Sequence, residues 1–313
     1  MTIFFRSNCE KNKLFLCICI KLKKNEGENM SKYMFFDIDG TLLGPSRKIT
    51  PRNRWAIEQV RKQGHKVFIC TGRAPVNVFK EQIDVPYDGV ICSAGGYIII
   101  DGQFVYENFM NQYILSEVMT MFFNNKILFK LEAKECIYVT PGIKEFFSAH
   151  NADIFENNLE LVRFHEKREA AEYNKPIKDF DISKTGIAKL CFIAPKKESF
   201  ERCESFLKDF FHVVTFSPKD APFVNGEIIL KHCTKAHGIE QVMDYYGVSM
   251  DETIAFGDSM NDYQMLEAVN TGVVYKDSSE ELKALGQYYF DGPDDDGIYK
   301  VLKEMGYVGE CDF

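Results

Sequence analysis

Short unbroken apolar runs, spaced by helical stretches, constrain this chain more than any other feature. Tyr33-Met34-Phe35-Phe36 reads as a strand buried on both faces, and it stops at Asp37. Thr50-Pro51 then opens a helix by cap and first-turn chemistry, with Ala56, Ile57 and Val60 on one side and Gly64 as its stop. Strands at residues 67–70 and 89–92 follow, separated by Thr71-Gly72-Arg73 and a second helical stretch. Such alternation specifies βαβ units and a parallel sheet.

The rhythm breaks at Tyr97-Ile98-Ile99-Ile100-Asp101-Gly102-Gln103-Phe104-Val105-Tyr106, where Asp-Gly between two apolar runs signals a hairpin. Over residues 111–225 the pattern is mixed. Helical stretches at 113–123 and 199–210 interleave with strand-like runs at 137–140, 187–194 and 213–216, and 166–183 is polar. The parallel rhythm resumes with a strand at 227–230, a helix over 235–246, a strand at 253–256 and a helix through 265–269. A parallel α/β domain, split by an α+β insertion, is the expected architecture. A length of 313 residues is consistent with this, since domains average ~150 residues each.

Charge narrows the partners. With 38 Lys and Arg against 46 Asp and Glu, the net charge of -8 repels polyanions, which argues against nucleic acid as the partner. A small phosphorylated molecule at a locally positive site is compatible with that field. Ten cysteines occur without a C-x-x-C pair, which removes the usual zinc and thioredoxin patterns. Most lie in apolar runs such as Val67-Phe68-Ile69-Cys70, as buried free thiols of a reducing cytoplasm would. The apolar run of residues 14–20, LFLCICI, is too short to span a membrane, and the lysines after it are not a cleavage site. Residues 1–29 are expected to be a loosely attached extension, or a misread start upstream of Met30, with no membrane partner.

The chemistry gathers at strand ends. Asp37 and Asp39 are two residues apart, so on extended backbone both side chains project to one side, and Gly40 lets the chain turn closely around them. Paired carboxylates call for a hard divalent cation or for acid/base work, and of the cations Mg2+ suits so few protein ligands best. A calcium loop would want a ligand at its fifth position and Glu at its twelfth, where this chain has Thr41 and Lys48. Gly257-Asp258-Ser259-Met260-Asn261-Asp262 places more carboxylate and amide after another strand. Thr71-Gly72 offers a hydroxyl and an open backbone N–H for phosphate oxygens, and Lys235 stands at a helix start where its charge could face an anion.

FFDIDGTL, the strand ending in Thr71-Gly72-Arg73, Thr234-Lys235-Ala236 and GDSMND together resemble, in order, the four motifs of the haloacid dehalogenase-like hydrolase superfamily. The large insertion between the second and third motifs resembles its Cof-type branch, subfamily IIB. The resemblance covers residues 30–313. It implies a Rossmann-like parallel-sheet core over 30–110 and 226–313, with an inserted α+β cap of type C2 over 111–225. It further implies a Mg2+-dependent phosphomonoester hydrolase acting on small phosphorylated metabolites, a sugar phosphate or similar. Asp37 would be the nucleophile that forms an aspartyl-phosphate, and Asp39 the acid/base group. Asp37, the Asp39 carbonyl and Asp258 would ligate Mg2+. Ile38, Thr71, Gly72, Lys235 and Asn261 would contact phosphate, with Asp262 and Arg73 standing behind them.

The chain has Ala94-Gly95-Gly96 where relatives commonly carry Asn-Gly-Ala, so one amide contact near the cap hinge is expected to be missing. His65, His212, His232 and His237 show no metal-ligand spacing, and Asp294-Asp295-Asp296 reads as a solvated turn. Phe122-Phe123 and Phe210-Phe211 are expected in the core. Two alternatives accompany the hydrolase: a phosphosugar mutase of the phosphomannomutase type, and a non-catalytic binder of phosphorylated ligands. A pure binder has no need of Asp37, Asp39, Lys235 and Asp258 together.

Overall fold

The computed structural model describes residues 31–81, 83–149, 172–218 and 220–312. The expected extension at 1–29, including LFLCICI, lies outside the described residues.

In chain order the elements are β1 (Tyr33–Phe36), α1 (Pro51–Lys62), β2 (Lys66–Cys70), α2 (Pro75–Glu81), β3 (Gly89–Cys92), β4 (Tyr97–Ile100) and β5 (Gln103–Glu107). Next come α3 (Gln112–Asn124), β6 (Leu128–Glu132), β7 (Ile137–Val139), α4 (Ile143–Ala149), β8 (Asn174–Pro176), β9 (Lys189–Ala194), α5 (Lys197–Phe210), β10 (Phe211–Thr215) and β11 (Val224–Leu230). The chain ends with α6 (Lys235–Tyr246), β12 (Thr253–Gly257), α7 (Tyr263–Ala268), β13 (Thr271–Tyr275), α8 (Glu280–Lys283), β14 (Tyr288–Phe290) and α9 (Gly297–Glu304).

Eight strands form one sheet in the order β14-β13-β12-β1-β2-β3-β4-β5, parallel except where β4 and β5 turn back. All four residues of β1 are buried, as a central strand covered on both faces requires. Phe36 stacks on Phe256 of β12, ring centroids 4.2 Å apart, and Phe35 on Phe68 of β2 at 5.2 Å. Thr50 caps α1 by accepting from the Asn53 N–H, and Ala56, Ile57 and Val60 face the sheet, as their spacing predicts. The β4–β5 hairpin turns through Asp101 and Gly102, both left-handed, which is the chemistry Asp-Gly supplies.

The second sheet has the order β10-β11-β9-β6-β7-β8 and is antiparallel except between β7 and β8. Its period of two divides the side chains. Phe129, Leu131, Leu190 and Phe192 pack under α3 and α5 with Val118, Phe122 and Leu207. Lys130, Glu132, Lys189 and Cys191 face the other way, toward the first sheet's strand ends.

One strand moves between sheets. Residues 227–230 were expected to rejoin the parallel core, but β11 lies between β9 and β10 in the antiparallel sheet, so the chain returns to the first sheet only after Leu230. A central strand of either sheet reads as an apolar run, and periodicity cannot distinguish them. The aromatic pairs also divide: Phe122 and Phe211 are buried, whereas Phe123 and Phe210 are exposed. Adjacent residues on a helix point in different directions, so Phe122 and Phe123 cannot both face the core. Asp294 and Asp295 are exposed, as a solvated turn requires, and Asp294 also accepts from the backbone N–H and hydroxyl of Ser46. Among the described residues no helix is long and apolar enough to cross a membrane.

Candidate active site

From β1 the chain runs one way along the sheet to β2 and β3, and from β12 the other way to β13 and β14. The crevice at such a reversal, outside the carboxyl ends of the strands, is where open α/β sheets bind ligands. Asp37 leaves β1 there, its N–H donating to the Phe256 carbonyl at 3.0 Å, and Asp258 follows β12. The loop after β1 closes on itself, as Leu42 and Leu43 both donate to the Ile38 carbonyl. Gly40 is left-handed at φ +93°, and a Cβ there would stand 2.2 Å from Asp258 Oδ2, so only glycine lets the two loops approach. Thr41 donates its hydroxyl to Asp258 Oδ1.

Lys235 begins α6, where Thr234 caps the helix by accepting from the His237 N–H. Its ammonium is buried and bonds Asp37 Oδ1 at 2.6 Å, Asp262 Oδ1 at 2.5 Å and Asn261 Oδ1 at 3.3 Å. Burial alone would lower the Lys235 pKa, but Asp262 and Asp37 override it, and the group stays charged. Burial dominates at Asp37 instead, where it outweighs the lowering by Lys235 and, with Asp262 and Asp39 nearby, pushes the carboxyl up to about 7.

Oxygen atoms of Asp37, Asp258 and Asp262 lie within 4.8 Å of one another. Asp262 is already committed: Oδ1 to Lys235, Oδ2 to the backbone N–H groups of Asp258 and Ser259. Asp37 and Asp258 are the two that could hold a cation between the loops after β1 and β12, and a hard divalent ion suits such carboxylates. Arg73 donates Nε to Asp39 Oδ2 and Nη2 to Asp39 Oδ1, and its own backbone N–H donates to the Thr71 hydroxyl.

Asp37, Asp39, Thr71, Gly72, Arg73, Lys235 and Asn261 floor a cavity of about 460 Å3, with Ile38, Asp258 and Asp262 behind that floor rather than lining it. All four motifs reach it, through Asp37 and Asp39, Thr71 with Gly72 and Arg73, Lys235, and Asn261. The roof, supplied by the second sheet, holds residues that motif reading missed: Lys130, Glu132, Lys189, Glu227 and His212. The signal available was a charge inside an otherwise apolar strand, as in Ile187-Ala188-Lys189-Leu190-Cys191. His212 is a surface residue at the rim of the cavity, while His65 is buried and its Nδ1 accepts from the Lys32 N–H. Ala94, where an asparagine was expected to be missing, lines the cavity in a left-handed conformation that asparagine tolerates better than alanine.

A family model described as haloacid dehalogenase-like hydrolase matches residues 34–302. Phosphatase YwpJ of Bacillus subtilis (strain 168) is 23% identical over 298 residues, covering 88% of this chain and 99% of that protein. From the same organism, 5-amino-6-(5-phospho-D-ribitylamino)uracil phosphatase YitU is 25% identical over 286 residues, covering 86% and 95%. Among solved structures, the phosphatase BT1666 from Bacteroides thetaiotaomicron has a TM-score of 0.70 at 26% identity, covering 91% of this chain and 98% of that one. The HAD subclass IIB sugar phosphatase BT4131 has a TM-score of 0.65 at 23% identity, covering 89% and 100%, which shows the shared fold.

Proposed function

The chain belongs to the haloacid dehalogenase-like hydrolases, and from that premise we propose that it is a Mg2+-dependent phosphatase of small phosphorylated metabolites, working through a phosphorylated Asp37. One observation carries the reading: a buried carboxylate, Asp37, faces the cavity with the Lys235 ammonium 2.6 Å away, and Asp39 and Asp258 lie close by. The relatives named as phosphatases support the reaction class.

Asp37 attacks phosphorus, and the alcohol departs with a proton from Asp39. Water then hydrolyses the aspartyl-phosphate as Asp39 takes a proton back, so that one hard displacement becomes two easier ones. Lys235, the Thr71 hydroxyl, the Ile38 and Gly72 amides and Asn261 hold the phosphoryl oxygens, while Asp262 anchors Lys235. Arg73 orients Asp39 and must let go of one oxygen when that oxygen carries the proton. Asp37, Asp258 and the Asp39 carbonyl would hold Mg2+, which supplies positive charge against the transferring phosphoryl group.

The cavity volume fits a small molecule. Its roof of lysines, glutamates and Asn174 suits a hydroxylated leaving group, a sugar phosphate or similar. The buried free thiols favour a reducing, cytoplasmic setting. Phosphate release from a panel of phosphorylated metabolites, with and without Mg2+, tests the proposal. Mg2+-dependent release with discrimination among leaving groups supports it, and a folded protein that releases nothing overturns it.

A further inference from the structure

We propose that Lys189, on strand β9 of the second sheet, is a positioning residue for the loop Thr71-Gly72, aligning that loop for phosphate by a bond across the cavity. The inference rests on reading this loop as a phosphate site. Lys189 lies in none of the four motifs. Its ammonium is nearly buried and donates to the Gly72 carbonyl at 2.7 Å, linking the six-stranded sheet to the loop that follows β2. Glu227 Oε1 on β11 lies 3.0 Å away and Glu132 Oε2 on β6 3.3 Å away. Three adjacent strands thus bring two carboxylates to the one ammonium that reaches this backbone carbonyl.

The ammonium donates to the Gly72 carbonyl and to Glu227 Oε1 and pairs by charge with the Glu132 carboxylate. These oxygens hold Lys189 against the loop. Burial alone would lower its pKa; Glu132 and Glu227 reverse that and raise it well above the usual lysine range. On either side of Gly72 the loop is tied to the first sheet, Thr71 through its N–H to Ile91 and its carbonyl to Ala94, and Arg73 through its carbonyl to Ser93. The charge-assisted bond to the Gly72 carbonyl adds a tie from the second sheet to the same loop. If the second sheet lifts away, Lys189 leaves Gly72 but keeps both carboxylates, so neither state holds an unpaired buried charge.

Calorimetric binding of inorganic phosphate in the presence of Mg2+ tests this without requiring turnover. Wild type is compared with Lys189→Met and with Leu207→Ala, a change in the buried core of the second sheet far from Gly72. The expected result is that Lys189→Met binds phosphate about tenfold more weakly, the scale of losing one alignment at a binding site, while Leu207→Ala binds as wild type does. Equal affinity in wild type and Lys189→Met overturns the proposal, and so does an equal loss in Leu207→Ala. If wild type binds no phosphate, the reading of the loop as a phosphate site fails and this inference falls with it. Should Lys189→Met not fold, Lys189→Met/Glu227→Gln removes one of the carboxylates left unpaired and is judged by the same outcomes.

Discussion

Arg73 holds Asp39 by two parallel hydrogen bonds, Nε to Oδ2 at 2.8 Å and Nη2 to Oδ1. A planar fork of this kind fixes direction as well as charge, which a lysine cannot do. The group proposed to exchange protons with the leaving alcohol and with water is therefore oriented before substrate arrives.

Replacing Asp39 by Asn should separate the two half-reactions. An aryl phosphate such as p-nitrophenyl phosphate departs without protonation, so a burst of nitrophenolate should persist while steady-state hydrolysis falls by on the order of a hundredfold or more. Rapid-mixing absorbance measures both phases. Loss of burst and steady state together would contradict the assignment of Asp39 as acid/base.

Arg73→Lys keeps a positive charge and removes the fork. A fall in kcat of about tenfold for alkyl phosphates, with a smaller effect on p-nitrophenyl phosphate, is expected from poorer orientation of Asp39. Equal losses on both substrates would place Arg73 in phosphate binding instead.

Asp37 links stability to pH. Burial pushes its carboxyl up to about 7, above the ordinary value of 3.8, so the folded protein binds this proton more tightly than the unfolded chain. The corresponding stabilisation is complete below the unfolded value and is lost as pH rises through about 7. In metal-free protein, Asp37→Asn should flatten this fall between pH 4 and 7, as followed by denaturant titration, and should also reduce turnover at least about a thousandfold. A variant with parallel pH dependence, or one that still turns over, refutes the corresponding half of the prediction.

Lys235→Met leaves Asp37 and Asp262 facing each other without their shared cation. A stability loss of about 3–5 kcal/mol is expected in metal-free protein, the scale of breaking a buried ion pair from one side. Urea unfolding reads it directly, and a loss below about 1 kcal/mol would mean that the carboxylates had simply taken up protons.

Gly40→Ala tests how closely the two loops must approach. The added methyl would occupy the place of the Asp258 carboxylate in a backbone conformation that alanine resists. Weaker Mg2+ binding by calorimetry, with the core still folded, is the expected outcome; unchanged Mg2+ affinity would remove Asp258 from the ligand set.

Local chemistry made much of this molecule legible. Strand β1 with its exit at Asp37, the Thr50 cap of α1, the Asp101-Gly102 hairpin and the placement of Lys235 at the start of α6 all follow from short-range geometry. The motif residues at the strand ends could be read because side-chain direction on a strand, or at a helix start, depends only on neighbouring residues. Pairing between distant segments carries no such local mark. Whether residues 224–230 would join β9 or β12, whether Arg73 would turn to Asp39, and which carbonyl Lys189 would reach depended on which surfaces met when the two sheets packed. An apolar strand satisfies either sheet and a buried cation satisfies any nearby oxygen, so tertiary structure alone decided the roof of the cavity, the partner of Asp39 and the bond across to Gly72.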